Sequence, residues 1–126
     1  MQIVTPYLLY EDAAAALEFL GRAFGFEEVM RMNAPDGHVN HAEMRLGGGD
    51  IHLGQPDRPT SPRRLGGTPV LIYVVVDDVD AHFARARAEG AEIVDEPADQ
   101  HYGDRRYAAR DREGHLWYFA QPMAGS

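Results

Sequence analysis

The side chains able to do chemistry in this sequence are histidines, carboxylates and tyrosines, because the chain has no cysteine. A disulfide framework, a zinc ribbon and a thiol nucleophile are thereby excluded, and a bound metal would need imidazole and carboxylate ligands. His41 and Glu43 alternate with Ala42 and Met44, so on a strand they share one face and the apolar pair takes the other. His52 sits in a second strand-like run, Ile51-His52-Leu53. Such donors suit divalent iron, zinc, manganese or nickel. His38 and His115 stand in or beside glycine-containing turns, where a solvent-facing ring is expected, and His82 falls on the outer part of a helix. Glu96, Asp99 and Asp104 flank a proline-containing loop and read as solvated carboxylates. Gly47-Gly48-Gly49 lacks the Lys-Ser/Thr of a phosphate-binding loop, and no Gly-x-Ser-x-Gly nucleophile turn occurs.

The elements that must position these residues repeat. A shift of 65 residues places Arg22-Ala23-Phe24-Gly25-Phe26-Glu27-Glu28-Val29 on Arg87-Ala88-Glu89-Gly90-Ala91-Glu92-Ile93-Val94, and Asp12 on Asp77. In the first half, residues 3–10 form a β-rich run and Asp12 stands where its carboxylate can cap a helix. Ala13, Ala16, Leu17, Leu20 and Phe24 make one apolar stripe, and Gly25 supplies a left-handed stop. Strands are expected over 26–32, 40–46 and 50–54, separated by turn chemistry. The second half predicts a strand over 70–76, a helix over 79–89 and strands over 91–95, 105–110 and 115–121. Between the halves, residues 55–69 hold four prolines and two adjacent glycines with no apolar period, which predicts a linker or mobile loop.

Composition sets the outer limits. At 126 residues, 44% hydrophobic and 25% charged, the chain is expected to fold as one domain of two modules, about 1–55 and 70–122. A formal charge of −8 argues against nucleic-acid and anionic-lipid partners and mildly favours cationic ligands. The first residues lack the pattern of a signal peptide, and no long apolar run follows, so a cytoplasmic protein without a membrane partner is expected.

Phe19-Leu20-Gly21-Arg22-Ala23-Phe24-Gly25-Phe26-Glu27, Val76-Asp77-Asp78-Val79-Asp80-Ala81 and Asp111-Arg112-Glu113-Gly114-His115-Leu116-Trp117, in this order within two βαβββ units, resemble the glyoxalase/bleomycin-resistance (vicinal oxygen chelate) superfamily. The resemblance implies an α+β fold in which tandem βαβββ modules form a curved mixed sheet around a cleft. It also implies a homodimer whose pockets are shared between subunits. Enzymes of that superfamily carry His or Glu at four strand positions, which correspond here to Thr5, His52, Leu71 and Tyr118. Of these only His52 is a plausible ligand, so no metal is expected at that set. Two-residue alternation then puts Tyr7, Leu9, Leu71, Tyr73, Val75, Leu116 and Tyr118 on the cleft face, with Tyr10 opposite. His41 and Glu43 are read as cleft residues, and Tyr102 and Arg106 as a movable rim. The resulting expectation is metal-free binding and sequestration of an aromatic or cationic small molecule, as in the bleomycin-resistance branch, with no catalytic residue. The alternative is a divalent-metal-dependent lyase, isomerase or dioxygenase drawing ligands from His41, Glu43 or His52.

Overall fold

A computed structural model describes residues 2–123. In the first half, β1 (Tyr7–Leu9), β2 (Glu27–Asn33), β3 (Val39–Leu46) and β4 (Gly49–Gly54) form one sheet in the order β1-β4-β3-β2. In the second, β5 (Leu71–Val75), β6 (Glu92–Asp99), β7 (Asp104–Arg110) and β8 (Leu116–Pro122) repeat it as β5-β8-β7-β6. Each sheet is mixed, because its first strand runs parallel to its last and the other pairs are antiparallel. Within one chain the expected curved sheet is thus two separate four-stranded sheets, with β1 and β5 each left as an edge.

Helices α1 (Ala13–Phe19) and α3 (Val79–Ala88) begin alike: Asp12 accepts from the Ala15 N–H at 3.0 Å and Asp78 from the Ala81 N–H at 3.1 Å. The structural equivalent of Asp12 is therefore Asp78, not the Asp77 given by a uniform shift. Both helical segments lead to a left-handed glycine, Gly25 at φ 87° and Gly90 at φ 92°. One residue more separates Asp12 from Gly25 than separates Asp78 from Gly90, and the first segment absorbs it by widening into a π-helical turn, Leu20–Phe24. Carbonyls at the end of that turn are met from α3. Arg85 donates to Gly21 and Arg22 at 3.0 and 3.1 Å, and His82 Nε2 to Phe24 at 2.8 Å. His82 is accordingly half-buried, with Nδ1 on the Tyr107 hydroxyl, and not on an outer helical face as its sequence position suggested.

The helices and the inner sheet faces bury one apolar cluster drawn from both halves. At its centre the Phe24 ring meets Trp117, Phe119 and His82, with centroids 5.6, 4.8 and 6.3 Å away. Phe26 lies edge-on to Trp117 at 5.5 Å. The loop before β8 adds a polar clasp. Buried Asp111 accepts the backbone N–H groups of Glu113, Gly114 and His115 through Oδ1, and the Tyr10 hydroxyl and Trp117 Nε1–H through Oδ2 at 2.6 and 3.1 Å. Glu113 reaches back to the Glu11 and Asp12 N–H groups at 2.7 and 2.8 Å. His115, expected to face solvent, is half-buried against Tyr10 and bonded to the Leu9 carbonyl at 3.0 Å.

The connecting segment is not a loose tether. Pro62–Leu65 forms a short helix, α2. The Thr60 and Ser61 N–H groups bond Glu11, the Ser61 hydroxyl donates to the Glu113 carbonyl at 2.8 Å, and Arg63 pairs with Glu92 at 2.7 Å. These partners are far away in sequence, so apolar periodicity could not announce them. A second correction concerns Pro97, which lies within β6 and not in a loop. An edge strand with a register shift between Asp95 and Ala98 accommodates a residue that has no N–H to donate.

Candidate functional site

Alternation along the strands sorts the side chains as expected. Tyr7 is 50% and Tyr73 43% exposed, whereas Tyr10 on the opposite face is 1% exposed. Strand register then aligns one outward row per sheet. Across the first sheet it reads Tyr7, His52, Glu43, Met30; across the second, Tyr73, Tyr118, Ala108, Asp95.

In the first row, His52 lies directly opposite Glu43, and His41 stands two residues along β3 from Glu43 on the same face. His41 Nε2 is 3.0 Å and His52 Nε2 3.7 Å from Glu43 Oε2. The Tyr7 hydroxyl and His41 Nδ1 share a hydrogen bond of 2.8 Å. Tyr7 holds this position because Gly54 leaves room for it: a Cβ at residue 54 would stand 2.9 Å from the phenol oxygen and 2.8 Å from the Asn40 carbonyl. Leu9 follows Tyr7 outward on β1, partly buried.

The second row is aromatic and ionic. Tyr73 and Tyr118 have ring centroids 6.2 Å apart, and the Arg106 guanidinium covers the Tyr118 ring at 4.2 Å. Arg106 also donates to the Tyr102 hydroxyl at 3.2 Å and lies 3.6 Å from Asp95, while its Nε–H is buried with no partner among the described residues. Tyr73 donates to Asp104 at 2.5 Å. Desolvation, then hydrogen bonding to Asp104 and Tyr102, raises the Tyr73 pKa and keeps the phenol protonated. Asp104, taken from sequence as solvated, is thus half-buried and part of this group. The Tyr102 rim is the β6–β7 hairpin turn, tied down by Arg106. Leu71 is exposed and Leu116 partly buried beside the group.

The ten residues expected in one cleft therefore fall into two sets, Tyr7, Leu9, His41, Glu43 and His52 against Leu71, Tyr73, Tyr102, Arg106 and Tyr118. No hydrogen bond or ring contact links the sets among the described residues. One cavity, about 800 Å³, lies between β5 and the β3–β4 turn and takes in Tyr73. A second, about 440 Å³, lies between residues 58–70 and β1 and takes in Tyr7 and Leu9. Neither contains His41, Glu43 or His52, so cavity size and chemistry do not coincide, and the register-fixed donors are the better guide to chemistry. The resemblance aligned Thr5, His52, Leu71 and Tyr118 with a metal-ligand set. Thr5, Leu71 and Tyr118 bring no imidazole or carboxylate to join His52. Sequence reading missed Met30 and Asp95 and took Asp104 for a solvated carboxylate. Strand register brings out Met30 and Asp95, and the bond from the Tyr73 hydroxyl brings out Asp104, none of which a local sequence pattern signals.

Paired mixed sheets with helices on one face define the vicinal oxygen chelate class of fold. The chain belongs to the Glyoxalase/Bleomycin resistance protein/Dioxygenase superfamily, whose family model matches residues 2–119. An uncharacterized protein of Mycobacterium tuberculosis, Rv0887c, is 39% identical over 126 residues, covering 95% of this chain and 74% of that one. The crystal structure of TioX from Micromonospora sp. ML1 has a TM-score of 0.81 and 37% identity, covering 98% of this chain and 100% of TioX. A superfamily enzyme from Burkholderia phytofirmans PsJN, at 18% identity and TM-score 0.76 over 98% of this chain and 100% of that chain, shares the fold. Among the described residues no helix is long and apolar enough to cross a membrane.

Proposed function

We propose that the protein binds and sequesters an aromatic or cationic small molecule without transforming it, in pockets shared by two copies of the chain. The observation that carries this reading is the outward aspect of both tyrosine rows. Tyr7 and Tyr73 are half exposed, and Val75 is 64% exposed, beside β1 and β5 edges that have no strand partner within the chain. Unpaired edges flanked by apolar side chains are a template for pairing with another chain. Joining β1 of one copy to β5 of the next would set Tyr7 across from Tyr73 and Tyr118. Such a cleft offers ring faces to a planar ligand or a cation. Metal at Thr5, Leu71 and Tyr118 has no part in it.

Light scattering tests the dimer, and a fluorescence titration with proflavine, a planar aromatic cation, tests the site. A dimer with two equivalent sites is expected. Tyr7→Ala, Tyr73→Ala and Tyr118→Ala should each weaken binding by about 1–3 kcal/mol, from lost stacking and apolar burial. Mixing Tyr7→Ala with Tyr118→Ala subunits should restore one intact pocket in each mixed dimer. A monomer that binds proflavine at full strength, or a mixture that recovers nothing, overturns the shared pocket. A second reading, a metal-dependent enzyme of the same superfamily, is favoured by one observation, the convergence of His41, Glu43 and His52.

A further inference from the structure

We propose that His41 Nε2, a Glu43 carboxylate oxygen and His52 Nε2 form a site for one divalent transition ion of the zinc class, built on the first module alone. The site is distinct from the superfamily's four-position set, with which it has only His52 in common. Two of its three donors come from β3, the strand next to the one that carries His52.

The geometry begins with the ladder. Glu43 and His52 are direct register partners, and His41 lies on the same face two residues away, so two rigid strands and no loop hold the donors. All three donor atoms lie within 4.8 Å of one another. Zinc with nitrogen and oxygen ligands at its usual bond lengths spaces tetrahedral donors by about 3.3–3.5 Å. The measured separations from Glu43 Oε2, 3.0 and 3.7 Å, bracket that spacing. The side chains are 25%, 33% and 29% exposed, sheltered yet open to the outward face.

Donor chemistry selects the ion. Two imidazoles and one carboxylate suit zinc, nickel, cobalt or iron, whereas magnesium and calcium prefer oxygen shells. Three protein ligands leave at least one position for water or a ligand atom. Tyr7 supplies the outer support such a site needs. With Nδ1–H of His41 donating to the Tyr7 oxygen, the Nε2 lone pair is directed at the ion, and the proton Nε2 would otherwise carry toward Glu43 is displaced. Tyr7 is a positioning residue here.

The test uses tag-free, full-length protein stripped with EDTA, and Zn²⁺ alone as the probe in calorimetry. One ion per chain is expected. His41→Ala, Glu43→Gln and His52→Ala should each weaken binding at least about 10-fold, with Tyr7→Phe costing about 10-fold at unchanged stoichiometry. His38→Ala and His101→Ala should bind as the parent does. Co²⁺ substitution gives a second readout: a visible ligand-field band that disappears in His52→Ala while melting without metal stays at the parental temperature. Substoichiometric binding, or full-strength binding in the three ligand variants, overturns the site. Because no small molecule is present, failure of proflavine to bind leaves this result untouched, and the reverse also holds.

Discussion

The two outward sheet faces have the same backbone and opposite characters. Tyr7 and Tyr73 hold equivalent edge positions and are similarly exposed, yet the next residue in the row is His52 in one sheet and Tyr118 in the other. The third is Glu43 against Ala108. One face thus collects donors for a cation, and the other collects rings with an arginine laid over them. The inner faces differ in the contrary sense, since both feed one apolar cluster. Each repeat constrains its inner face through shared packing and leaves the outer face chemically free.

The sharpest way to break the contrast is to remove its common core. Phe24→Ala deletes the ring that touches Trp117, Phe119 and His82, and should cost about 3–5 kcal/mol. Urea unfolding should keep a single transition at lower midpoint. Two resolved transitions would mean that the halves are stabilised separately.

A smaller effect separates inward from outward tyrosines. Tyr10→Phe strips the buried Asp111 of a hydrogen bond and should destabilise by about 1–3 kcal/mol. Tyr73→Phe loses a bond at an exposed site, and its cost in the same urea assay should stay within about 0.5 kcal/mol. Equal losses would contradict the division of faces.

The least effect is electrostatic. Burial lowers the His82 pKa below its ordinary value of 6.5, partly offset by the bond to the Phe24 carbonyl. The unfolded chain then binds a proton that the folded chain does not, so stability rises with pH through this window. The contribution is fully present above about pH 6.5 and fades as pH falls toward the lowered folded value. Melting temperature should drop on acidification from pH 7 to 5, and His82→Gln should flatten that slope. A slope unchanged in His82→Gln would assign it to other groups.

Much of the scaffold was legible from local signals. Two-residue alternation placed Tyr7 and Tyr73 outward and Tyr10 inward, and Asp12, Gly25 and Gly90 marked helix ends through short-range chemistry. What escaped depended on pairing across long stretches of chain. His52 faces Glu43 because of a β3–β4 register that alternation alone does not specify. Arg106 on Tyr118 and Arg63 on Glu92 each span two strands or a strand and the connector. His82 and His115 were misjudged because neighbouring sequence says nothing about a carbonyl arriving from the other half.

The widened turn at Leu20–Phe24 bears on how such a duplicated chain tolerates insertions. An extra residue inside β4 ahead of His52, unless absorbed as a bulge, would turn every following side chain to the other face, sending His52 into the core and Leu53 into water. The same residue lodged in a helix only swells one turn, whose Gly21, Arg22 and Phe24 carbonyls accept from Arg85 and His82. The two halves could therefore diverge in length at the helix without losing registration of their sheets. Deleting Gly21 should convert that turn to a regular helix at the cost of those three bonds, leaving every strand face as it is.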